Sequence, residues 1–169
     1  VWRDALGVPR LDSVSVDLRA GEIVGIAGVS GNGQSELLDA LAGLLVPQSG
    51  SLQIGGDMFT PSHWLTPSHA RELRIAHVPE DRQHMGLVLP FEESESAILG
   101  YHDGEAYGSG PMLDPDAVRA DALIKMRKFD IRPDNVRLKT ANFSGGNQQK
   151  IVLAREMTRD PKVLLVGQP

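Results

Sequence analysis

Apolar residues in this chain either alternate with polar ones or form short continuous runs, and both patterns predict β-strands. The alternating stretches lie at about 11–19 and 51–55, and alternation is typical of a strand with one exposed face. The continuous runs lie at 22–27, 73–78 and 162–166, where they indicate strands that are buried on both faces. We therefore expect a mostly parallel sheet built from the continuous runs, with a small antiparallel β layer from the alternating stretches.

Helical spacing and capping residues predict helices between these strands. Apolar positions recur on one side of 35–42, and 92–99 is also expected to be helical. Asp114 offers an N-cap and Pro115 a first helical position for a helix that runs to about Phe129. Segments 59–70 and 101–111 are rich in Pro or Gly, and we expect an irregular loop and a flexible connector there. Strands that alternate with helices predict an α/β fold.

Composition narrows the class of protein. A chain of 169 residues with 41% hydrophobic and 23% charged residues is typical of one globular domain with a small subdomain. It has no cysteine, which excludes disulfides and thiolate metal sites and fits a cytoplasmic protein. No apolar run approaches the roughly 18 residues of a membrane span. A net charge of −5 without a basic run argues against nucleic acid as a partner.

A glycine-rich tract between the strand at 22–27 and the helix at 35–42 is similar to a phosphate-binding loop, G-x-x-x-x-G-K-[ST]. Strand, loop and helix follow in the order that such a site needs, since the anion lies at the positive end of the helix. The template lysine is replaced by Gln34, and Ser35 would supply the hydroxyl for Mg²⁺. The dinucleotide pattern G-x-G-x-x-G fails, because its third glycine falls at Glu36. The candidate phosphate-binding residues are Gly28, Val29, Ser30, Gly31, Asn32, Gly33, Gln34, Ser35 and Glu36.

A second tract, Ser144-Gly145-Gly146-Asn147-Gln148, precedes another amphipathic helix. Ser144 is expected to cap that helix, and the glycines allow an anion to approach the backbone closely. The tract resembles the signature of ABC transporter ATPases. The resemblance implies that Ser144, Gly145, Gly146 and Gln148 contact the γ-phosphate of ATP that is held by an opposite nucleotide-binding domain.

Two further segments resemble motifs of the same family but depart from them. The run at 162–166 resembles the Walker B strand, after which the family has Asp-Glu-Pro and this chain has Gly167-Gln168-Pro169. The resemblance implies that Gln168 stands at the place of the catalytic glutamate, where it is weak or inactive because it cannot take a proton. Glu80, within Pro79-Glu80-Asp81-Arg82, stands where the family normally has a glutamine that couples the nucleotide to the transmembrane partner. The resemblance therefore implies that Glu80 belongs to the nucleotide site.

Taken together, these departures resemble the second, degenerate ATP-binding half of simple-sugar and nucleoside importers. The resemblance implies a P-loop NTPase (RecA-like) core with an antiparallel β layer and a helical signature subdomain, in a fragment that ends after the Walker B strand. The expected divisions are a core at 1–90, a helical subdomain at 91–143, and a return to the core at 144–169. ATP, with weak or absent Mg²⁺, is the implied ligand.

The same resemblance implies partners and a location. The partners are a second ATP-binding domain, fused in the same polypeptide, the permease subunits and, indirectly, an extracytoplasmic solute-binding protein. The chain would lie at the cytoplasmic face of the membrane. Two alternatives remain: an ABC-type ATPase of DNA repair or maintenance, and a nucleotide-sensing regulatory module. The acidic net charge and the absence of room for a coiled coil argue against the first, and the segment 79–82 argues against the second.

Overall fold

The computed structural model describes residues 1–29, 31–108 and 112–167. The chain divides into two compact units, Val1–Ile75 and Ala76–Pro169. The phosphate-loop tract belongs to the first unit. The signature tract and the segment that resembles Walker B belong to the second.

The first unit contains two small antiparallel strand pairs and two helices. Strand β1 (Trp2–Arg3) pairs with β2 (Pro9–Leu11), and β3 (Leu52–Ile54) pairs with β4 (Asp57–Phe59). Gly55 and Gly56 form the two-residue turn between β3 and β4, and Gly55 has a positive φ of 60°, which such a turn requires. The helices are α1 (Gln34–Leu41) and α2 (Pro67–Glu72). The predicted helix at 35–42 is confirmed within one residue at each end.

Two strand predictions in this unit are wrong. Residues 12–29 form no strand, and Ile23, at the centre of the predicted buried run, is 97% exposed. The strand at 51–55 is present, but it pairs with 57–59 instead of 11–19. An apolar run indicates that its side chains prefer burial. A strand also needs a neighbouring strand that forms hydrogen bonds with its backbone. Among the described residues, none supplies that neighbour for 22–27.

The irregular loop predicted at 59–70 contains the beginning of a helix. Thr66 caps α2, because its Oγ1 accepts a hydrogen bond from the backbone N–H of His69 at 3.2 Å. Pro67 occupies the first helical position, where its missing N–H costs nothing. The Thr-Pro pair that suggested a turn is therefore a helix start.

The second unit consists of one strand pair and a group of helices. Strand β5 (Ile75–Val78) pairs with β6 (Val163–Val166), and helices α3 (Glu93–Ser96), α4 (Pro115–Phe129) and α5 (Gly145–Met157) follow the order expected from the sequence. A π-helical turn lies at Arg82–Gly86. Short 3₁₀ helices lie at Glu105–Tyr107 and Thr140–Asn142.

The core of the second unit joins α4 and α5 to the residues around β5. Its buried members are Val78, Leu87, Met126, Ile131, Phe143, Ile151, Val152 and Ala154. Met126 on α4 and Ile151 on α5 are almost fully buried, at 1% and 0% exposed. This packing fixes α5, and with it the signature tract at the beginning of that helix.

The predicted flexible connector contains a buried side chain. Tyr107 is 2% exposed, and its hydroxyl donates to the Asp121 carboxylate at 2.7 Å. Residues 109–111 lie outside the described part of the chain. Glycine content predicts flexibility here, and the buried Tyr107 with its satisfied hydroxyl attaches the segment to α4 at one point.

Candidate functional site

The phosphate-loop tract turns sharply into α1. Gly31 and Gly33 have positive φ values of 87° and 101°, which favour glycine because it lacks a Cβ. A side chain at Gly33 would also collide with the backbone oxygen of Arg10 on β2. The N–H of Asn32 bonds to the carbonyl of Val29 at 3.2 Å, which closes the turn. Ser30 lies outside the described residues.

Gln34, at the lysine position of the template, folds back over its own loop. Its Nε2 donates to the carbonyl oxygen of Val29 at 3.3 Å, and the same amide fills the space where a side chain at Gly28 would lie. The loop therefore carries a neutral amide where its template has a cation. Ser35 and Glu36 follow in the first turn of α1, and Ser35 is exposed.

Arg10 is a loop contact that the sequence reasoning missed. Its Nη1 donates to the carbonyl of Gly31 at 2.9 Å, and its Nε bonds to the Asp4 carboxylate at 3.0 Å. Asp4 also accepts the N–H groups of Leu6 and Val8. The hairpin of β1 and β2 is thus attached to the loop through one guanidinium. No pattern in the sequence signals this pairing, because the partners lie far apart along the chain.

The signature tract begins α5 as predicted. The Ser144 hydroxyl accepts hydrogen bonds from the backbone N–H and the side-chain amide of Asn147, at 3.5 and 3.0 Å. Asn147 in turn accepts the N–H of Arg132 at 2.8 Å. Gly146 faces open space, whereas a Cβ at Gly145 would lie 2.7 Å from Nη2 of Arg82. The predicted serine cap is confirmed.

Gln148 lies apart from the exposed residues of the tract. Its side chain is 3% exposed, and its Nε2 donates to the carbonyl of Thr140 at 3.1 Å. Its Oε1 accepts from Nε2 of Gln83 at 3.0 Å. These contacts place Gln148 behind the exposed Ser144 and Gly146, where it joins α5 to the segment after β5. A nucleotide contact by Gln148 stays a prediction.

Glu80 and Gly167 lie at the ends of the paired strands of the second unit. Glu80 is exposed two residues after β5, and the N–H of Gly167 bonds to the carbonyl of Val78 at 2.9 Å. Gly167 offers no carboxylate at the place of the Walker B aspartate. Gln168 and Pro169 lie outside the described residues, so the role of Gln168 stays a prediction.

Asp81 fixes the turn that follows Glu80. Its Oδ1 accepts the N–H groups of Gln83 and His84, and its Oδ2 lies 2.6 Å from Nδ1 of His84. The hydrogen bond with the His84 ring is the main reason that the pKa of Asp81 lies below its ordinary value. The carboxylate form is therefore favoured, and it caps the π-helical turn that carries Arg82.

The described part of the chain contains neither a cluster of metal-ligating side chains nor a membrane-spanning helix. No group of three or more His, Asp or Glu side chains in 1–29, 31–108 and 112–167 is arranged to hold a metal ion. Within the same ranges, no helix has both the length and the apolar character to cross a bilayer.

Comparisons with known proteins agree with the family resemblance. The family model described as "ABC transporter" matches residues 11–169. The chain is 37% identical over 167 residues to the nucleoside import ATP-binding protein NupA of Lactococcus lactis subsp. cremoris, covering 99% of this chain and 32% of that protein. It is 36% identical to the guanosine import ATP-binding protein NupO of Bacillus subtilis, with the same coverage. It is 38% identical to the glucose import ATP-binding protein TsgD13 of Haloferax volcanii, covering 98% of this chain and 30% of that protein.

A solved structure supports the fold. The dimeric structure of MJ0796, a bacterial ABC transporter cassette, matches with a TM-score of 0.71 and 23% identity, covering 93% of this chain and 65% of that one. The predicted fold class, α/β with a P-loop NTPase core, is confirmed by this match. The chain spans about a third of the length of the curated relatives named above. With a family model that matches almost its whole length, this chain belongs to the ABC transporter family.

Proposed function

We propose that this chain is an ATP-binding domain of an importer for simple sugars or nucleosides. Its own site binds ATP with weak or no hydrolysis, while its signature tract completes the site of a partner ATP-binding domain. The names of the curated relatives, which are nucleoside, guanosine and glucose import proteins, support this solute class. They favour neither a DNA-repair ATPase nor a nucleotide sensor.

The observation that carries the proposal is the position of Gln34. Its amide donates to the Val29 carbonyl within the loop, so the loop has no cation there for the β- and γ-phosphates. The backbone N–H groups and the beginning of α1 remain, and they suit a phosphate. Loss of one charge-assisted contact costs about 1.5–3 kcal/mol. Binding is therefore weakened but retained.

The replaced residues are expected to lower the rate of ATP hydrolysis more than they weaken ATP binding. A missing general base lowers a rate by about 10²–10⁴-fold, and Gln168 stands at the place of that base. Gly167 brings no carboxylate to support Mg²⁺, so Ser35 alone remains as a metal ligand from the family pattern. The residues fit a nucleotide phosphate better than they fit Mg²⁺. Phosphoryl transfer depends mostly on positioning and electrostatics, so turnover at this site is expected to be low.

The signature tract keeps the features that its role needs. Ser144 is exposed and caps α5, and Gly146 faces open space. The N–H groups of Gly145 and Gly146 lie in the first turn of a 13-residue helix, where they suit an anion. We infer that this face receives the γ-phosphate of ATP bound by the partner domain. The permease subunits, a solute-binding protein and a location at the cytoplasmic membrane face belong to the same proposal.

Steady-state ATP turnover by the full-length protein, assembled with its permease, tests the division of labour. Ser144→Arg should abolish turnover, because it blocks the signature face. Gln34→Ala should leave most of it, since the site of this chain contributes little. Ser51→Arg, on an exposed serine of the first unit, serves as the matched control. Strong loss with Gln34→Ala, together with normal turnover in Ser144→Arg, would contradict the proposal.

A further inference from the structure

Arg82 is a charged residue beside the signature tract. It opens the π-helical turn Arg82–Gly86, which is capped by the Asp81 carboxylate. Its guanidinium packs against Gly145, since a Cβ there would lie 2.7 Å from Nη2 and 3.7 Å from Cζ of Arg82. A glycine at 145 thus makes room for a cation beside the signature tract.

The surroundings of this cation are electrostatically unfavourable without an anion. The N-terminus of α5 carries the positive end of the helix dipole, where basic side chains are disfavoured. Among the residues that the structure describes, no acidic side chain forms a salt bridge with Arg82, and its Nε is buried without a hydrogen-bond partner. Arg82 as a whole is half-buried, and its guanidinium charge has no neutralising partner among the described residues.

The segment that carries Arg82 is attached firmly to the signature helix. Gln83, the next residue, donates to Oε1 of Gln148 on α5, and Gln148 donates to Thr140. Asp81 fixes the turn from the other side through its bonds to the N–H groups of Gln83 and His84. The backbone that carries Arg82 is therefore held beside the beginning of α5 by neighbours on both sides.

We propose that Arg82 is a nucleotide-binding residue of the signature face. Its guanidinium binds the terminal phosphate of the ATP held by the partner domain, beside the backbone N–H groups of Gly145 and Gly146. An anion at this place interacts favourably with both the guanidinium charge beside Gly145 and the helix dipole. This inference rests on the proposed role of the signature tract. It gives the segment at 79–82 a function at the nucleotide.

Equilibrium titration of the full-length protein, assembled with its permease, tests the inference. The probes are a non-hydrolysable ATP analogue and ADP. Arg82→Gln should weaken binding of the analogue at the competent site by roughly 10- to 100-fold and leave ADP binding unchanged, because only the analogue has a third phosphate. Arg82→Lys should recover part of the loss, since it keeps the charge but not the planar fork. Arg127→Gln, on an exposed arginine of α4, is the control for net charge.

A second variant keeps the arginine but moves it. Gly145→Ala introduces a Cβ into the space of the guanidinium, so it should weaken analogue binding in the wild-type background. In the Arg82→Gln background, the same change should cost much less, because the displaced group is already gone. If the double variant loses as much binding free energy as the two single variants together, the inference is overturned.

Further outcomes separate the two proposals. Equal losses for the analogue and ADP would show a purely structural role for Arg82 and overturn the inference. If Ser144→Arg abolishes ATP turnover while Arg82→Gln binds the analogue normally, the inference fails and the proposed function stands. If Ser144→Arg leaves turnover intact, the proposed function itself fails.

Discussion

At the scale of single residues, Gln34 decides how tightly this loop can hold phosphate. Gln34→Lys restores the cation that the loop template has and removes the amide bond to Val29. We expect ATP to bind about 10-fold more tightly or better, in line with one charge-assisted contact. Calorimetric titration with ATP measures the change, and Gln53→Lys, on an exposed glutamine of β3, controls for the added charge. An unchanged affinity would mean that the loop does not bind phosphate through this position.

Glu93 is a second residue whose surroundings set its chemistry. Its side chain is 0% exposed, and neither carboxylate oxygen has a hydrogen-bond partner among the described residues. Burial raises the pKa of Glu93 to about 8, against the opposing charge of Lys125, while Asp121 and Asp134 add to the rise. Glu93 is therefore protonated in the folded protein at neutral pH.

The pKa of Glu93 makes stability depend on pH. Between about pH 4.5 and 8, the unfolded chain has lost a proton that the folded chain keeps, so the free energy of unfolding falls as pH rises through this window. Glu93→Gln removes the titration. The variant should match the wild type near pH 4.5 and exceed it at pH 8 by on the order of 1 kcal/mol or more.

Urea unfolding at the two pH values measures this difference. Glu105→Gln, on an exposed glutamate, controls for the loss of a carboxylate. A stability difference between Glu93→Gln and the wild type that is the same at both pH values would contradict the prediction.

The residues whose roles were predicted correctly from the sequence form hydrogen bonds with their near neighbours in the chain. Ser144 and Asp114 bond to N–H groups within three residues of themselves, so a short pattern reveals them. Arg10 on Gly31 and Arg82 beside Gly145 join distant parts of the chain. No local pattern records such contacts, because the fold alone brings these partners together.

At the scale of elements, the capping of α4 can be tested directly. The Asp114 carboxylate accepts the N–H groups of Asp116 and Ala117, at 2.9 and 3.2 Å. Asp114→Ala should lower the free energy of unfolding by about 1 kcal/mol, whereas Asp114→Asn keeps a capping oxygen and should lose much less. Denaturant unfolding compares the two variants. Equal losses would show that the carboxylate acts through its charge instead of its hydrogen bonds.

Elements defined by caps and helical spacing were easier to predict than strands. Helices α1, α4 and α5 carry their own hydrogen bonds, so sequence signals at their ends are sufficient. A strand is completed by another segment, and its apolar pattern does not say which one. This is why 51–55 was recognised as a strand but assigned the wrong partner, and why 22–27 was predicted as a strand that the structure lacks.

At the scale of the whole molecule, the most consequential difference concerns the apolar segment before the phosphate loop. Its side chains are exposed in the structure, although their sequence pattern predicts burial; they include Val14, Val16, Leu18, Ile23, Val24 and Ile26. Exposed apolar surface of this extent is typical of an interaction face or a site of aggregation. Segment 22–27 is thus an exposed segment in the structure and a buried strand according to its sequence pattern. These two interpretations predict different losses of stability for a polar substitution at its centre.

Ile23→Ser in the 169-residue chain separates these interpretations. Because Ile23 is 97% exposed, the substitution should change the free energy of unfolding by less than about 0.5 kcal/mol and lower the binding of an apolar dye. Ile75→Ser, at a 5% exposed position of β5, should instead cost about 2–5 kcal/mol. Urea unfolding and dye fluorescence measure both effects. A loss at Ile23 as large as that at Ile75 would mean that 22–27 is a buried strand after all, and that the loop begins from a rigid sheet.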